Sequence, residues 1–159
     1  DNTRAFFAGQ GIDPARLCFA QPCGQAEHLQ RYHAVDVALD TFPIGGHTTT
    51  SDALWLGVPV VTLPGACFVS RVAASLLTAA ELPELIAADA AQYRALAVAL
   101  AQDAARRAKI KEYLTVNRMR LAPFASETFV KNFAVGLKSA WVRYVQGLPP
   151  DNITVGQDD

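Results

Sequence analysis

The stretch that decides the fold runs from residue 35 to residue 63 and reads VDVALDTFPIGGHTTTSDALWLGVPVVTL. It begins and ends with short apolar runs of strand length, at residues 35–40 and 58–63. Between them, residues 48–57 predict a helix that stops at Gly57. Because both strands are continuous apolar runs rather than alternations of apolar and polar residues, the stretch predicts one strand–helix–strand unit of a parallel sheet.

The flanking sequence extends this alternation of strands and helices. Further strands are predicted at residues 16–20 and 84–87. Helices are predicted over residues 2–11, 26–33, 68–80, 90–117 (as two helices that break near Asp103) and 126–146. The last helix has an apolar stripe at spacings of three and four, formed by Phe129, Phe133, Leu137, Ala140, Trp141 and Tyr144. The pattern predicts an α/β fold, a parallel sheet with helices on both faces that ends in a long C-terminal helix.

Composition excludes several classes of protein. With 51% hydrophobic residues and a net charge of −1, the 159-residue chain is not intrinsically disordered, and it lacks the basic excess of nucleic-acid-binding domains. No apolar run approaches the roughly 20 residues of a membrane-spanning helix. Three cysteines cannot pair completely, and their spacing matches no zinc or redox motif. We therefore expect a cytoplasmic globular domain that binds no metal, no nucleic acid and no membrane.

The loop between the two central strands carries the densest set of groups that bind anions. Thr48, Thr49 and Thr50 follow two glycines at the predicted start of a helix. A helix N-terminus offers free N–H groups and the positive end of the helix dipole to a diphosphate. His47 is placed to donate to a phosphate or leaving-group oxygen, and Asp52 to accept from a diol such as ribose. An alternative stays open, because threonine is also a common helix cap, Gly-Gly a common turn, and Asp suits the dipole.

Two further loops follow predicted strands, at the edge where ligands bind in such sheets. In residues 21–28, the exposed backbone and His28 suit a nucleobase, and a solvated helix position is the alternative for His28. In residues 64–71, Arg71 is either a phosphate or sugar contact or the structural partner of a carboxylate. We expect the structural pairing for Arg71.

Residues 36–65, together with SRVAAS at 70–75, closely resemble the protein O-GlcNAc transferase family and its bacterial and SPINDLY-like relatives. Weaker similarity extends from about Gly11 to the final helix. The resemblance implies a Rossmann-like domain, part of the C-terminal, donor-binding half of a GT-B glycosyltransferase. On this basis, residues 1–148 form a nucleotide-sugar-binding domain without its first strands, and residues 149–159 form a loose tail.

The resemblance also implies roles for single residues. The implied donor-binding residues are His47, Thr48, Thr49 and Thr50 at the diphosphate, and Asp52, His28, Cys23 and Gln25 at the ribose and base. His47 is in addition the implied catalytic residue, since it stabilises the departing diphosphate. The implied reaction is an inverting transfer of N-acetylglucosamine from UDP-GlcNAc to a Ser or Thr hydroxyl of a protein, without a metal or other cofactor.

The sequence departs from the family pattern in two loop positions and in extent. Gln25 replaces a lysine that contacts the nucleotide in the animal enzymes, and Gly45-Gly46 replaces a common Asn-Gly, which is expected to loosen the loop. The N-terminal catalytic half, the tetratricopeptide repeats and the first strands of the donor domain do not occur in the chain, which starts at Asp1. We therefore expect a piece of a longer enzyme that binds the donor poorly and transfers nothing alone.

Two other functions stay open at this point. The first is a related fucosyl- or hexosyltransferase that uses another nucleotide sugar, because the phosphate- and ribose-binding residues suit these donors equally. The second is a non-catalytic nucleotide-binding or interaction module.

Overall fold

The computed structural model describes residues 2–156, and within that range it contains two short strands and seven α-helices. The strands are β1 (Ala38–Leu39) and β2 (Val60–Val61). The helices are α1 (Asn2–Gly9), α2 (Gln25–Arg31), α3 (Thr48–Trp55), α4 (Val72–Ala79), α5 (Ala90–Gln102), α6 (Ala104–Asn117) and α7 (Ser126–Val145). Asp1 and residues 157–159 of the predicted tail lie outside the described residues.

The two strands pair in parallel, as the central stretch predicts. Ala38 lies opposite Val60, and Leu39 lies opposite Val61. A single parallel bridge between Thr62 and Ile86 continues the sheet on the other side of β2. The α/β class is therefore confirmed, with helices making up most of the chain.

Two of the predicted strands are absent or reduced. Residues 16–20 form no strand, because Asp13 and Pro14 begin a helical turn at Pro14–Arg16, where the Asp13 carboxylate accepts from the Ala15 N–H at 2.9 Å. At residues 84–87, a turn over Pro83–Leu85 leaves only the bridge at Ile86. Local turn chemistry overrides the apolar pattern at both places.

The hydrophobic core lies where helices α3 to α6 meet β2. Helices α3 and α5 both contact β2, and α6 packs against α3. The largest fully buried apolar side chains are Leu54, Leu77, Leu85, Leu100, Leu114, Val60 and Val61. Full burial of one such side chain contributes about 1.5–3 kcal/mol, so this cluster is what positions the loops at the end of the sheet.

Helix boundaries follow from identifiable caps. Gly57 ends α3 with a φ of +80°, and a Cβ there would lie 3.0 Å from the Lys111 side chain. Asp103 separates α5 from α6, as predicted, and its carboxylate accepts from the Arg106 N–H at 2.8 Å. Gly57 therefore ends α3, and Asp103 starts α6, at the positions that the sequence predicts.

The last helix is long and amphipathic, as predicted, and its apolar stripe is exposed. Phe129, Phe133 and Trp141 are all more than half exposed, and no residue of α7 is buried. Among residues 2–156, no helix combines the length and the hydropathy that crossing a membrane requires. Residues 149–156 contain no helix or strand, and Arg143 of α7 holds them through the Pro149 carbonyl (2.8 Å).

Leu114 and Val116 on α6 give a matched test of the core. Leu114 is fully buried and Val116 is 74% exposed, so Leu114→Ala should lower the free energy of unfolding by about 2–5 kcal/mol. Val116→Ala should change it by less than about 0.5 kcal/mol. Urea unfolding followed by circular dichroism measures both values. Equal losses in the two variants would contradict this position of the core.

Candidate functional site

A buried carboxylate anchors the loop between β1 and α3. Asp40 is 8% exposed and ends the segment that contains β1. Its Oδ1 accepts from the Gly46 N–H at 2.6 Å, and its Oδ2 accepts from the Thr62 hydroxyl at 2.7 Å. Because hydrogen bonds to a charged acceptor are the strong ones, Asp40 fixes the loop to the strand segment that follows β2.

The two glycines of this loop are held tightly. The Gly45 N–H donates to the Val69 carbonyl at 3.0 Å. A Cβ at Gly46 would lie 2.7 Å from the hydroxyl oxygens of both Thr49 and Thr50. Both glycine N–H groups are therefore bonded, and the backbone approaches the helix closely.

Helix α3 begins directly after this loop and presents free backbone donors. Its first hydrogen bond within the helix runs from the Ser51 N–H to the His47 carbonyl at 3.0 Å. Within residues 2–156, the N–H groups of Thr48, Thr49 and Thr50 have no hydrogen-bond partner. Thr48 and Thr49 are exposed, whereas Thr50 is 4% exposed. Of the three, Thr50 is therefore the least accessible to a ligand.

His47 lies between two loops. It is the N-cap residue of α3, and its side chain is exposed and makes no capping bond. The imidazole meets the Phe68 ring edge-on, with 5.8 Å between the ring centroids. Phe68 belongs to the loop after β2, so His47 lies where the loop before α3 meets the loop after β2.

The loop before α2 forms a cavity of about 540 Å³. Cys23 and His28, two of the predicted base-binding residues, both line it, together with Tyr32. The rings of His28 and Tyr32 meet edge-on at 5.4 Å. Gln25, in contrast, is exposed at the first position of α2 and is not among the residues that line this cavity.

Tyr32 connects this cavity to α3. Its hydroxyl donates to the Thr49 carbonyl at 3.1 Å. Burial raises the pKa of the Tyr32 phenol, and the nearby charge of Asp52 raises it further. Asp52, the predicted ribose-binding residue, is half-buried on the same helix. The structure thus brings the cavity, the free N–H groups and Asp52 to one region.

Sequence reasoning missed two residues that organise the site. From the sequence, Asp40 is only the last residue of the strand predicted at residues 35–40, although an acidic residue at the end of a buried strand, before two glycines, is a usable signal. Tyr32 is four residues after His28 and therefore on the same helical face, but its partner Thr49 is 17 residues away. No local pattern indicates that contact.

In the third loop, residues 64–71, the structure contradicts the role expected for Arg71. Arg71 is exposed and forms no ion pair with any carboxylate of residues 2–156, so the expected structural pairing is wrong. It lines a separate cavity of about 420 Å³ with Phe68 and Ser75. A hydrogen bond with the Ser70 hydroxyl lowers the pKa of the neighbouring Cys67 thiol.

Metal binding has no clear place in the described part of the chain. Residues 2–156 contain no group of three or more His, Cys, Asp or Glu side chains that is arranged to hold a metal ion.

Comparisons with known proteins agree on one family. The sequence model of glycosyl transferase family 41 matches residues 1–133. The UDP-N-acetylglucosamine–peptide N-acetylglucosaminyltransferase of Caenorhabditis elegans is 36% identical over 97% of this chain, which covers 13% of that protein. The probable UDP-N-acetylglucosamine–peptide N-acetylglucosaminyltransferase SPINDLY of Arabidopsis thaliana is 39% identical over 78% of this chain, which covers 14% of that protein.

A solved structure matches as well. A mutant of the Thermobaculum terrenum O-GlcNAc transferase superposes with a TM-score of 0.74 at 34% identity, over 89% of this chain and 26% of that one. The chain thus spans about a quarter of the solved protein's length and a smaller share of the two sequence relatives.

Gly46 provides a test of the loop geometry. Gly46→Ala should destabilise the protein, because the new methyl group would meet the Thr49 and Thr50 hydroxyls at 2.7 Å. We expect a loss of about 1–3 kcal/mol. Gly9→Ala is the control, since nothing lies within 4 Å of a Cβ at Gly9. Thermal unfolding compares the two, and a Gly46→Ala variant as stable as Gly9→Ala would contradict the close approach.

Tyr93 provides a test at high pH. Its hydroxyl donates to the Asp40 carbonyl at 2.7 Å, and burial, followed by the Asp40 charge, raises the pKa of its phenol. A folded-state pKa above the unfolded value of about 10 stabilises the fold below that pH. This contribution is lost as the pH rises through the folded-state pKa.

The difference in unfolding free energy between wild type and Tyr93→Phe should therefore be about 0.5–1.5 kcal/mol at pH 8 and shrink above pH 10. Urea unfolding at several pH values measures it. Tyr144→Phe, at a 74% exposed position, is the control and should show no such change. If the difference in unfolding free energy between wild type and Tyr93→Phe stays constant with pH, the raised pKa of Tyr93 is contradicted.

Proposed function

Because the chain belongs to glycosyl transferase family 41, we propose that it forms the nucleotide-sugar-binding part of an inverting protein O-linked N-acetylglucosaminyltransferase. The donor in this proposal is UDP-GlcNAc, and the acceptor is a Ser or Thr hydroxyl of a protein. The Caenorhabditis elegans relative is named as a UDP-N-acetylglucosamine–peptide N-acetylglucosaminyltransferase, which supports the donor and a peptide acceptor, and the O-GlcNAc transferase of Thermobaculum terrenum supports an O-linked product.

One observation carries the proposal. The three partnerless N–H groups at the start of α3 lie next to the cavity lined by Cys23 and His28, and the Tyr32–Thr49 hydrogen bond joins the two. A nucleoside diphosphate has the matching layout, with a flat base at one end and two phosphates at the other. In the proposed complex the base occupies the cavity, Asp52 accepts from the ribose, and the diphosphate caps α3.

The proposed chemistry follows from where charge develops. The acceptor oxygen attacks the anomeric carbon of the sugar, the bond from that carbon to the diphosphate breaks, and the configuration inverts. Negative charge grows on the leaving diphosphate as the bond breaks. N–H groups aimed in advance at such charge, together with His47, stabilise the transition state. No metal ion is part of this proposal.

The identity of the base is the open choice within the proposal. A GDP-sugar offers the same diphosphate and ribose, so α3 and Asp52 suit it equally. Titration of the chain with UDP and with GDP, followed by amide resonances in NMR spectra, separates the two. We expect UDP to move the Thr48, Thr49 and Thr50 resonances at lower concentration than GDP.

The reverse preference for GDP would favour the fucosyl- or hexosyltransferase alternative. A chain that responds to neither nucleotide, with no response from a protein that spans the family's full length either, would contradict donor binding and favour an interaction module. Trp55, on α3, gives a second readout through its fluorescence.

Substitutions in a protein that spans the family's full length test the two roles separately. Asp52→Ala removes the proposed acceptor for the ribose and should raise the donor KM about tenfold to a hundredfold. His47→Ala removes a group that acts on the leaving diphosphate and should lower kcat about a hundredfold. Steady-state kinetics with varied donor measure both parameters.

Two matched variants remove a carboxylate and an imidazole ring outside the proposed site and serve as controls. Asp36 has a side chain that is 81% exposed, and His33 is an exposed histidine at the end of α2. Asp36→Ala and His33→Ala should leave the donor KM and kcat unchanged. Wild-type donor kinetics in both Asp52→Ala and His47→Ala would refute the site.

A further inference from the structure

Tyr32 contacts both halves of the proposed donor site. Its ring meets the His28 ring edge-on at 5.4 Å, beside the cavity. Its hydroxyl donates to the Thr49 carbonyl at 3.1 Å, in the first turn of α3. Across the described residues, no other side-chain hydrogen bond joins the segment 20–35 to α3.

The geometry points to Tyr32 as a positioning residue for the donor: its ring and hydroxyl together fix the spacing between the base cavity and the free N–H groups of α3. The inference rests on the proposed function, because the spacing has a role only if one ligand spans both places. Tyr32 itself touches neither phosphate in this arrangement.

The spacing between the cavity and α3 affects affinity because one ligand makes both contacts at once. A nucleoside diphosphate that makes both contacts gains from the second only if the two sites are held at the spacing that the ligand spans. A site that is already ordered also loses less conformational entropy on binding. A hydroxyl bond between Tyr32 and the helix holds that spacing before the ligand arrives.

The phenol remains a donor at neutral pH, because burial and the Asp52 charge both raise the pKa of Tyr32. Other charged groups close to the cavity are Arg31 and Glu27, which pair with each other at 3.2 Å. The Tyr32–Thr49 bond therefore does not depend on a protonation change in the neutral range.

The test uses Tyr32→Phe in the 159-residue chain, with uridine and UDP as probes. Phenylalanine keeps the ring against His28 and removes only the hydroxyl, so the fold is retained. We expect UDP affinity to fall about two- to tenfold, the range for loss of one neutral hydrogen bond, while uridine affinity stays unchanged. NMR titration measures both affinities.

A spectroscopic signature accompanies this effect. The Thr49 carbonyl and the Thr50 N–H belong to one peptide group, so loss of the hydroxyl bond should shift the Thr50 amide proton without any ligand. The matched control is Tyr113→Phe, because the Tyr113 hydroxyl donates to Glu81 at 3.0 Å, away from the site. The control should change neither affinity nor the Thr50 resonance.

Each other outcome overturns the inference in a recognisable way. Unchanged UDP affinity in Tyr32→Phe refutes the positioning role, and so does an unchanged Thr50 resonance. An equal loss for uridine and UDP indicates a general structural role instead. A wild-type chain that binds uridine and UDP equally, or neither, contradicts the proposed function itself and removes the inference with it.

Discussion

The Asp40 carboxylate is the interaction on which the rest of the site depends. Burial of an ionised carboxylate is unfavourable unless donors compensate it, and here the Gly46 N–H and the Thr62 hydroxyl do so. Tyr93 of α5 adds a bond to the backbone carbonyl of the same residue. The end of β1, the glycine loop, the segment after β2 and α5 therefore meet at one residue, and α3 starts where this junction places it.

In the proposed donor complex, a nearly neutral chain binds the diphosphate mainly through backbone donors. The net charge is −1, and Gln25 stands where the family resemblance implies a lysine that contacts the nucleotide. The donors offered to an anion are instead N–H groups at the start of α3, whose dipole has its positive end there. Such donors are held by the fold itself, so their placement depends on the core beneath α3 and on the loop before it rather than on flexible side chains.

The sequence predicted the parts of the structure that local chemistry controls. The apolar runs around Ala38 and Val60 form the parallel pair, and Asp103 divides α5 from α6 as expected. The strand predicted at residues 16–20 does not form, because a turn that starts at Asp13 competes with it. The Tyr32–Thr49 and Asp40–Thr62 hydrogen bonds join residues 17 and 22 positions apart, so local periodicity and spacing carry no information about them.

The exposed stripe of α7 has a consequence for the solution behaviour of this chain. Phe129, Phe133, Leu137, Trp141 and Tyr144 all have more than half of their surface in water. Contiguous apolar surface of this kind makes molecules attract one another at high concentration, and a net charge of −1 provides little repulsion to oppose it. An exposed apolar face and little charge repulsion together favour association between copies of this chain as its concentration rises.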